Sequence, residues 1–349
     1  MRGVIQCVGL MSAVALLWAG TGQAQTQVWV AHKPAVVGAF PAPPAGAGPG
    51  VIALWSPVGS TTIRYAPANT LAGNSFYVGV DPARSEVFVP TLAGRTDVVS
   101  LRTGKAVTSF PSLPGGRVAR YDRHQHLLLV LSGKALAAYQ PRPPFHQVFR
   151  IAFGGNAIAL SPEGRRAFVG GNMDRVVEEI GLPSGTVERT FPVRRSGDLV
   201  FARGQVFSAD IETGVMTAIH VRSGRVVKMA TPEVDPNFSY SNIPAATAGF
   251  MQVATSPNRH WVYAVGFSGH ILKFSAVHDR YVGEVAVNLP GTAPRKLSGL
   301  AVLWGGNEAV ITVENRKETV VVDLATGNVL HTVAGIASNR WVLLPGRPA

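Results

Sequence analysis

Few side chains in this sequence could do chemistry, and their spacing narrows what that chemistry would be. The tightest grouping is Asp122, His124 and His126 in the run DRHQH. Alternate residues of an extended segment point to one side, so the three would face together, and imidazole with carboxylate suits zinc or iron. The same run falls where a turn between two strands is expected, and a solvated turn explains it without a metal. His220, His260, His270 and His278 stand singly. The one cysteine, Cys7, lies in the N-terminal segment, which leaves no thiol for catalysis or metal binding after it. The sequence contains no G-x-S-x-G elbow, no H-E-x-x-H and no glycine-rich phosphate loop. No catalytic residue, no metal and no cofactor is expected.

Basic and amide side chains in loop positions form the other candidate set. With 32 Lys and Arg against 20 Asp and Glu, the formal charge is +12. Such a balance attracts anions at long range, and it equally keeps a lightly charged protein soluble. The candidate ligand-binding residues are Arg117, Asn156, Asn172, Arg194, Arg195, His270, Arg295, Lys296 and Arg316. Guanidinium and ammonium donors converging on one axis would suit a carboxylate or phosphate. Phe238 and Tyr240 join them from a long insertion, Thr231 to Gly249. Long loops in compact domains often bind ligands, and this one would serve equally as a cap on a neighbouring unit. Exposed aromatics among cations would also suit single-stranded nucleic acid.

The elements that must position these residues are short strands. Val310 to Val333 (VITVENRKETVVVDLATGNVLHTV) has three β-branched runs divided by a polar loop and a Thr-Gly turn, the signature of a hairpin series. Variants of this unit recur. Their first strands centre near Val80, Ala119, Ala159, Val200, Val253, Ala301 and Val342, about 39 to 53 residues apart. That period predicts four-stranded propeller blades. Arg340 to Leu344 is one strand with nothing after it. Thr26 to His32, Val51 to Trp55 and Thr61 to Tyr65 are three with nothing before them. The expected fold is therefore all-β, a seven-bladed propeller whose last blade pairs N-terminal strands with the C-terminal strand.

The third unit, SPEGRRAFVGGNMDRVVEEIGLPSG (Ser161 to Gly185), resembles the YVTN-type propeller repeats, relatives of the WD-repeat and quinoprotein propellers. It has their SPxG turn, aromatic-Val second strand, V-x-x-I third strand and [ST]G turn. YVTN itself is replaced by FVPT, FVGG and VYAV. The resemblance covers nearly all of residues 26 to 349 and implies the propeller architecture. GTAPRKLSGLAV (Gly291 to Val302) also looks like a segment of propeller lactonases, with Lys296 where those have histidine. Quinoprotein dehydrogenase subunits share the fold, yet C-x-x-C-H is absent. An enzyme at the funnel mouth is thus the rival to a non-catalytic protein that recognises an anionic ligand or a protein partner.

The N-terminus predicts export. Arg2, an apolar stretch from Val4 to Trp18 and Gly22-Gln23-Ala24 form a cleavable signal, with cleavage after Ala24. The expected mature chain, 25 to 349, is a single periplasmic or secreted domain and a monomer, without a membrane span.

Overall fold

A computed structural model describes residues 36–39, 52–56, 59–61 and 75–344, apart from 172, 240–241, 243–244, 292–294 and 336. Strands β1 (Val36–Ala39), β2 (Ile52–Ser56) and β3 (Gly59–Thr61) come first. Blade I follows as β4 (Gly79–Asp81), β5 (Glu86–Thr91), β6 (Arg95–Ser100) and β7 (Ala106–Pro111). Blade II is β8 (Gly116–Asp122), β9 (Leu127–Ser132), β10 (Leu136–Tyr139) and β11 (Gln147–Ile151). Blade III is β12 (Ala157–Leu160), β13 (Arg166–Gly170), β14 (Val177–Gly181) and β15 (Thr186–Phe191). Blade IV is β16 (Ser196–Ala202), β17 (Gln205–Asp210), β18 (Val215–His220) and β19 (Val226–Ala230). Blade V is β20 (Phe250–Thr255), β21 (Trp261–Gly266), β22 (His270–Ser275) and β23 (Arg280–Ala286). Blade VI is β24 (Leu297–Val302), β25 (Glu308–Val313), β26 (Glu318–Asp323) and β27 (Val329–Ala334), before β28 (Val342–Leu343).

Six blades are thus antiparallel sheets of four consecutive strands, and one further four-stranded sheet runs β28-β1-β2-β3. Against the seven blades expected, the chain has six of consecutive strands, and the pairing of N-terminal strands with the C-terminal one, also expected, forms the separate seventh sheet. The physical reason is closure: a ring of open sheets exposes an edge unless chain ends from both sides pair. Val37 sits opposite Val342 and Val36 opposite Leu343. The expected strand at Thr26 to His32 lies outside the described residues. Val36–Ala39 occupies the place beside the C-terminal strand. Gly38 makes this possible, because a Cβ there would stand 2.3 Å from Ser338 Oγ.

Burial follows strand position. The second strands are continuous apolar runs, with all of Leu127–Ser132 buried, as expected where both faces are covered. The fourth strands alternate or are largely exposed, as in Arg280–Ala286. Apolar clusters join each sheet to the next. Phe88 and Phe110 of blade I meet Leu128 and Val130 of blade II, and so on round to Ala301 and Val310 of blade VI against Val36 and Trp341. Val37 and Leu344 then pack on Val78 and Val87 of blade I, which closes the circle. All seven first-strand centres expected from the sequence fall on the innermost strands β4, β8, β12, β16, β20, β24 and β28.

Candidate functional site

Inner strands carry the polar groups nearest the axis, and local backbone irregularities aim them. β8, β16, β20 and β24 each have a register shift near their start, between Gly116/Val118, Ser196/Asp198, Phe250/Gln252 and Leu297/Leu300. A bulge inserts one residue and turns the next side chain out of the regular alternation. Asp198 and Gln252 directly follow such shifts and reach sideways to the next blade. Asp198 Oδ2 accepts the Val253 N–H at 2.9 Å. Gln252 Oε1 accepts the Leu300 N–H at 2.7 Å and the Trp341 N–H at 2.9 Å, while its Nε2 donates to Trp341 O at 2.8 Å. Arg120 Nε donates to Ile158 O at 3.3 Å in the same way.

Tyr77 crosses this space. It lies just before blade I, yet its hydroxyl donates to Asp198 Oδ2 of blade IV at 2.6 Å. Burial first, and then the Asp198 charge, push its hydroxyl well above the ordinary tyrosine range. The Arg120 guanidinium lies 3.4 Å from the Tyr77 ring centre, close enough for a strong cation–π contact. Arg340 stands 5.7 Å from the same ring. Two polar atoms of this layer are buried without a hydrogen-bond partner among the described residues: Asp198 Oδ1 and Arg120 Nη1. Nor do the described ion pairs include Arg120.

Tyr77 and Arg120 line a cavity of about 210 Å³. Its walls are mostly aliphatic and come from inner strands: Leu199 and Val200, Val253 and Ala254, Leu300 to Val302, and Val342 with Leu343. The partly exposed members, Arg120, Val200, Ala254, Thr255, Val342 and Leu343, lie toward the ends of their strands. The chamber therefore opens on the face of the turns that link first and second strands.

The sequence-derived candidates sit mainly on the opposite face, and the structure does not gather them into the chamber. Arg195 pairs with Glu212. Arg295 clamps backbone, donating to Val287 O at 2.9 Å and Leu289 O at 3.1 Å. Arg316 donates to Pro290 O and stands 3.8 Å from Glu318. Lys296 lies over the Phe267 ring at 5.6 Å. Asn156 donates to Gly197 O at 3.2 Å and ties blade III to blade IV. His270 Nδ1 meets Ser268 Oγ at 2.9 Å. Arg117 is exposed beside the Phe76 ring, and Arg194 is exposed. Asn172 and Tyr240 lie outside the described residues. The DRHQH run is a turn between β8 and β9, where Asp122 Oδ1 accepts the His124 N–H at 2.8 Å, and no metal-holding cluster occurs among the described residues.

The insertion between β19 and β20 is braced from within. Buried Glu233 accepts the Gly249 N–H at 3.1 Å and the Ser268 N–H at 3.0 Å on Oε1, and the Ser268 hydroxyl on Oε2. Burial raises its carboxyl above the usual range against those hydrogen bonds. Asp235 accepts the Asn237 and Thr247 N–H groups, at 2.9 and 2.8 Å. Phe238 packs against Ile211, Ala246 and Phe267. This segment is a cap on blades IV and V.

Fold and geometry define a β-propeller with a half-open axial chamber. No protein-family model matches the chain, and no curated protein matches it. Among solved structures it is similar to the hydrazine synthase of Kuenenia stuttgartiensis, with a TM-score of 0.65 and 12% identity, covering 79% of this chain and 91% of that one. At that identity the likeness shows the fold alone.

Proposed function

We propose that this chain is an exported, non-catalytic propeller that binds an anionic ligand in its axial chamber. The carrying observation is Arg120: a guanidinium lining the chamber, stacked on Tyr77, in no ion pair among the described residues and with a buried Nη1 that has no hydrogen-bond partner there. A cation in an apolar setting gains most from an anion that enters with it. The composite terminal sheet acts as the seventh blade, supported by its packing on both blade VI and blade I. The repeat pattern of Ser161 to Gly185 supports a YVTN-type relationship.

General acid–base chemistry needs groups within reach of one reacting atom. No carboxylate is among the chamber's lining residues, and the nearest through Tyr77, Asp198, has its Oδ2 committed to Tyr77 and Val253. This favours binding over a lactonase-like or dehydrogenase-type reaction. Phe238 is packed inward, so it offers no stacking platform for nucleic acid. Thermal unfolding of the mature chain with millimolar acetate, phosphate, sulfate and heparin tests the reading. A small anion should raise Tm in the native chain and not in Arg120→Gln; equal shifts in both would refute it. N-terminal sequencing of secreted material should begin at Gln25.

A further inference from the structure

We propose that the chamber selects a short amphiphilic monocarboxylate, a specificity that rests on the anion-binding reading above. One guanidinium on the wall matches one carboxylate, and the planar fork of arginine fits its two oxygens. The remainder of the wall, chiefly Leu199, Val200, Val253, Ala254, Leu300 and Val302, offers aliphatic contact, and the nearby Arg340 is buried behind it with its guanidinium donating to Asn339 O. A dianion taken fully inside would place its other charge against these apolar walls or near Asp198, at a desolvation cost. An ammonium head would meet Arg120. Capacity sets the length. A volume of about 210 Å³ corresponds to roughly seven waters at about 30 Å³ each, close to the eight heavy atoms of hexanoate. Tyr77, fixed by its bond to Asp198, holds the face on which the Arg120 guanidinium rests.

Calorimetric titration of the mature chain with acetate, butanoate, hexanoate, succinate and hexylammonium reads this out. Affinity should rise about fourfold per methylene buried, from acetate to hexanoate. Succinate should bind no better than acetate, and hexylammonium should give no heat. Arg120→Gln should weaken hexanoate at least tenfold, with Arg120→Lys between the two. Ala254→Leu, or Val200→Phe should the first fail to fold, narrows the chamber and should weaken hexanoate while sparing acetate. If acetate and hexanoate bind equally and both need Arg120, the chain-length inference fails and the anion site stands. If neither binds, or Arg120→Gln binds as well as the native chain, both fail.

Discussion

Removing the Glu233 carboxylate should release the insertion and cost the whole fold measurable stability. Glu233 is 2% exposed and accepts three hydrogen bonds, two of them from the backbone N–H groups of Gly249 and Ser268. Glu233→Ala deletes every acceptor and leaves those two N–H groups without partners. Each such loss costs about 1–3 kcal/mol, so we expect a destabilisation of about 2–5 kcal/mol. Glu233→Gln keeps one oxygen for both N–H groups, and its amide can donate to the Ser268 hydroxyl, so its loss should stay below about 1 kcal/mol. The two variants also separate with pH. Because the folded carboxyl titrates above its unfolded value, the folded state holds the proton longer. That contribution is fully present below the unfolded value near 4.3 and is lost as pH rises through the folded one. Native stability relative to Glu233→Gln should therefore improve on acidification from pH 7 to 4. Urea unfolding at both pH values measures it. A change below 0.5 kcal/mol in Glu233→Ala, or equal losses in Ala and Gln, would refute the bracing role.

Ring closure should be equally sensitive. Gly299→Ala would set a Cβ 2.3 Å from Ser338 O and should lower the thermal midpoint markedly, whereas Gly305→Ala, with open space around it, should not. Gln252→Leu orphans the Leu300 N–H, the Trp341 N–H and the Trp341 carbonyl, for a loss of about 3 kcal/mol or more in urea unfolding. Tyrosine ionisation gives a third check. Burial raises Tyr77, Tyr121, Tyr139, Tyr263 and Tyr281, with Tyr121 and Tyr281 at about 12. Of seven tyrosines, Tyr77, Tyr121 and Tyr281 should stay protonated near pH 10.5 in the native state, so at most four should ionise there, read as tyrosinate absorbance. Finally, Arg295→Ala should reduce stability through the lost contacts to Val287 and Leu289 and leave anion binding unchanged.

The scaffold was legible because period and turn chemistry speak locally. β-branched runs and Thr-Gly or Ser-Gly turns located the strands, and one repeat offset placed every inner strand. The site was hidden for three physical reasons. Tyr77 precedes a strand of only three residues, and nothing local shows that it spans the ring. Asp198 and Gln252 follow bulges, which shift the alternation that assigns inward and outward positions. Arg120 lies within VARYD, where a lone cation in a strand suggests a solvated edge; a charged residue in a first strand, the axial one in a propeller, was the available signal. Conversely, the sequence presents loop arginines as free donors, and the structure commits Arg195, Arg295 and Arg316 to ion pairing and carbonyl contacts.

A crystal structure of the mature chain with hexanoate tests the central claim most directly. The carboxylate should lie about 2.7–2.9 Å from the Arg120 guanidinium, with the alkyl chain running past Val253 and Ala254 toward the turn face. Hexanoate lodged instead among Arg194, Arg295 and Lys296 on the inter-blade face, with the chamber filled by water, would contradict it.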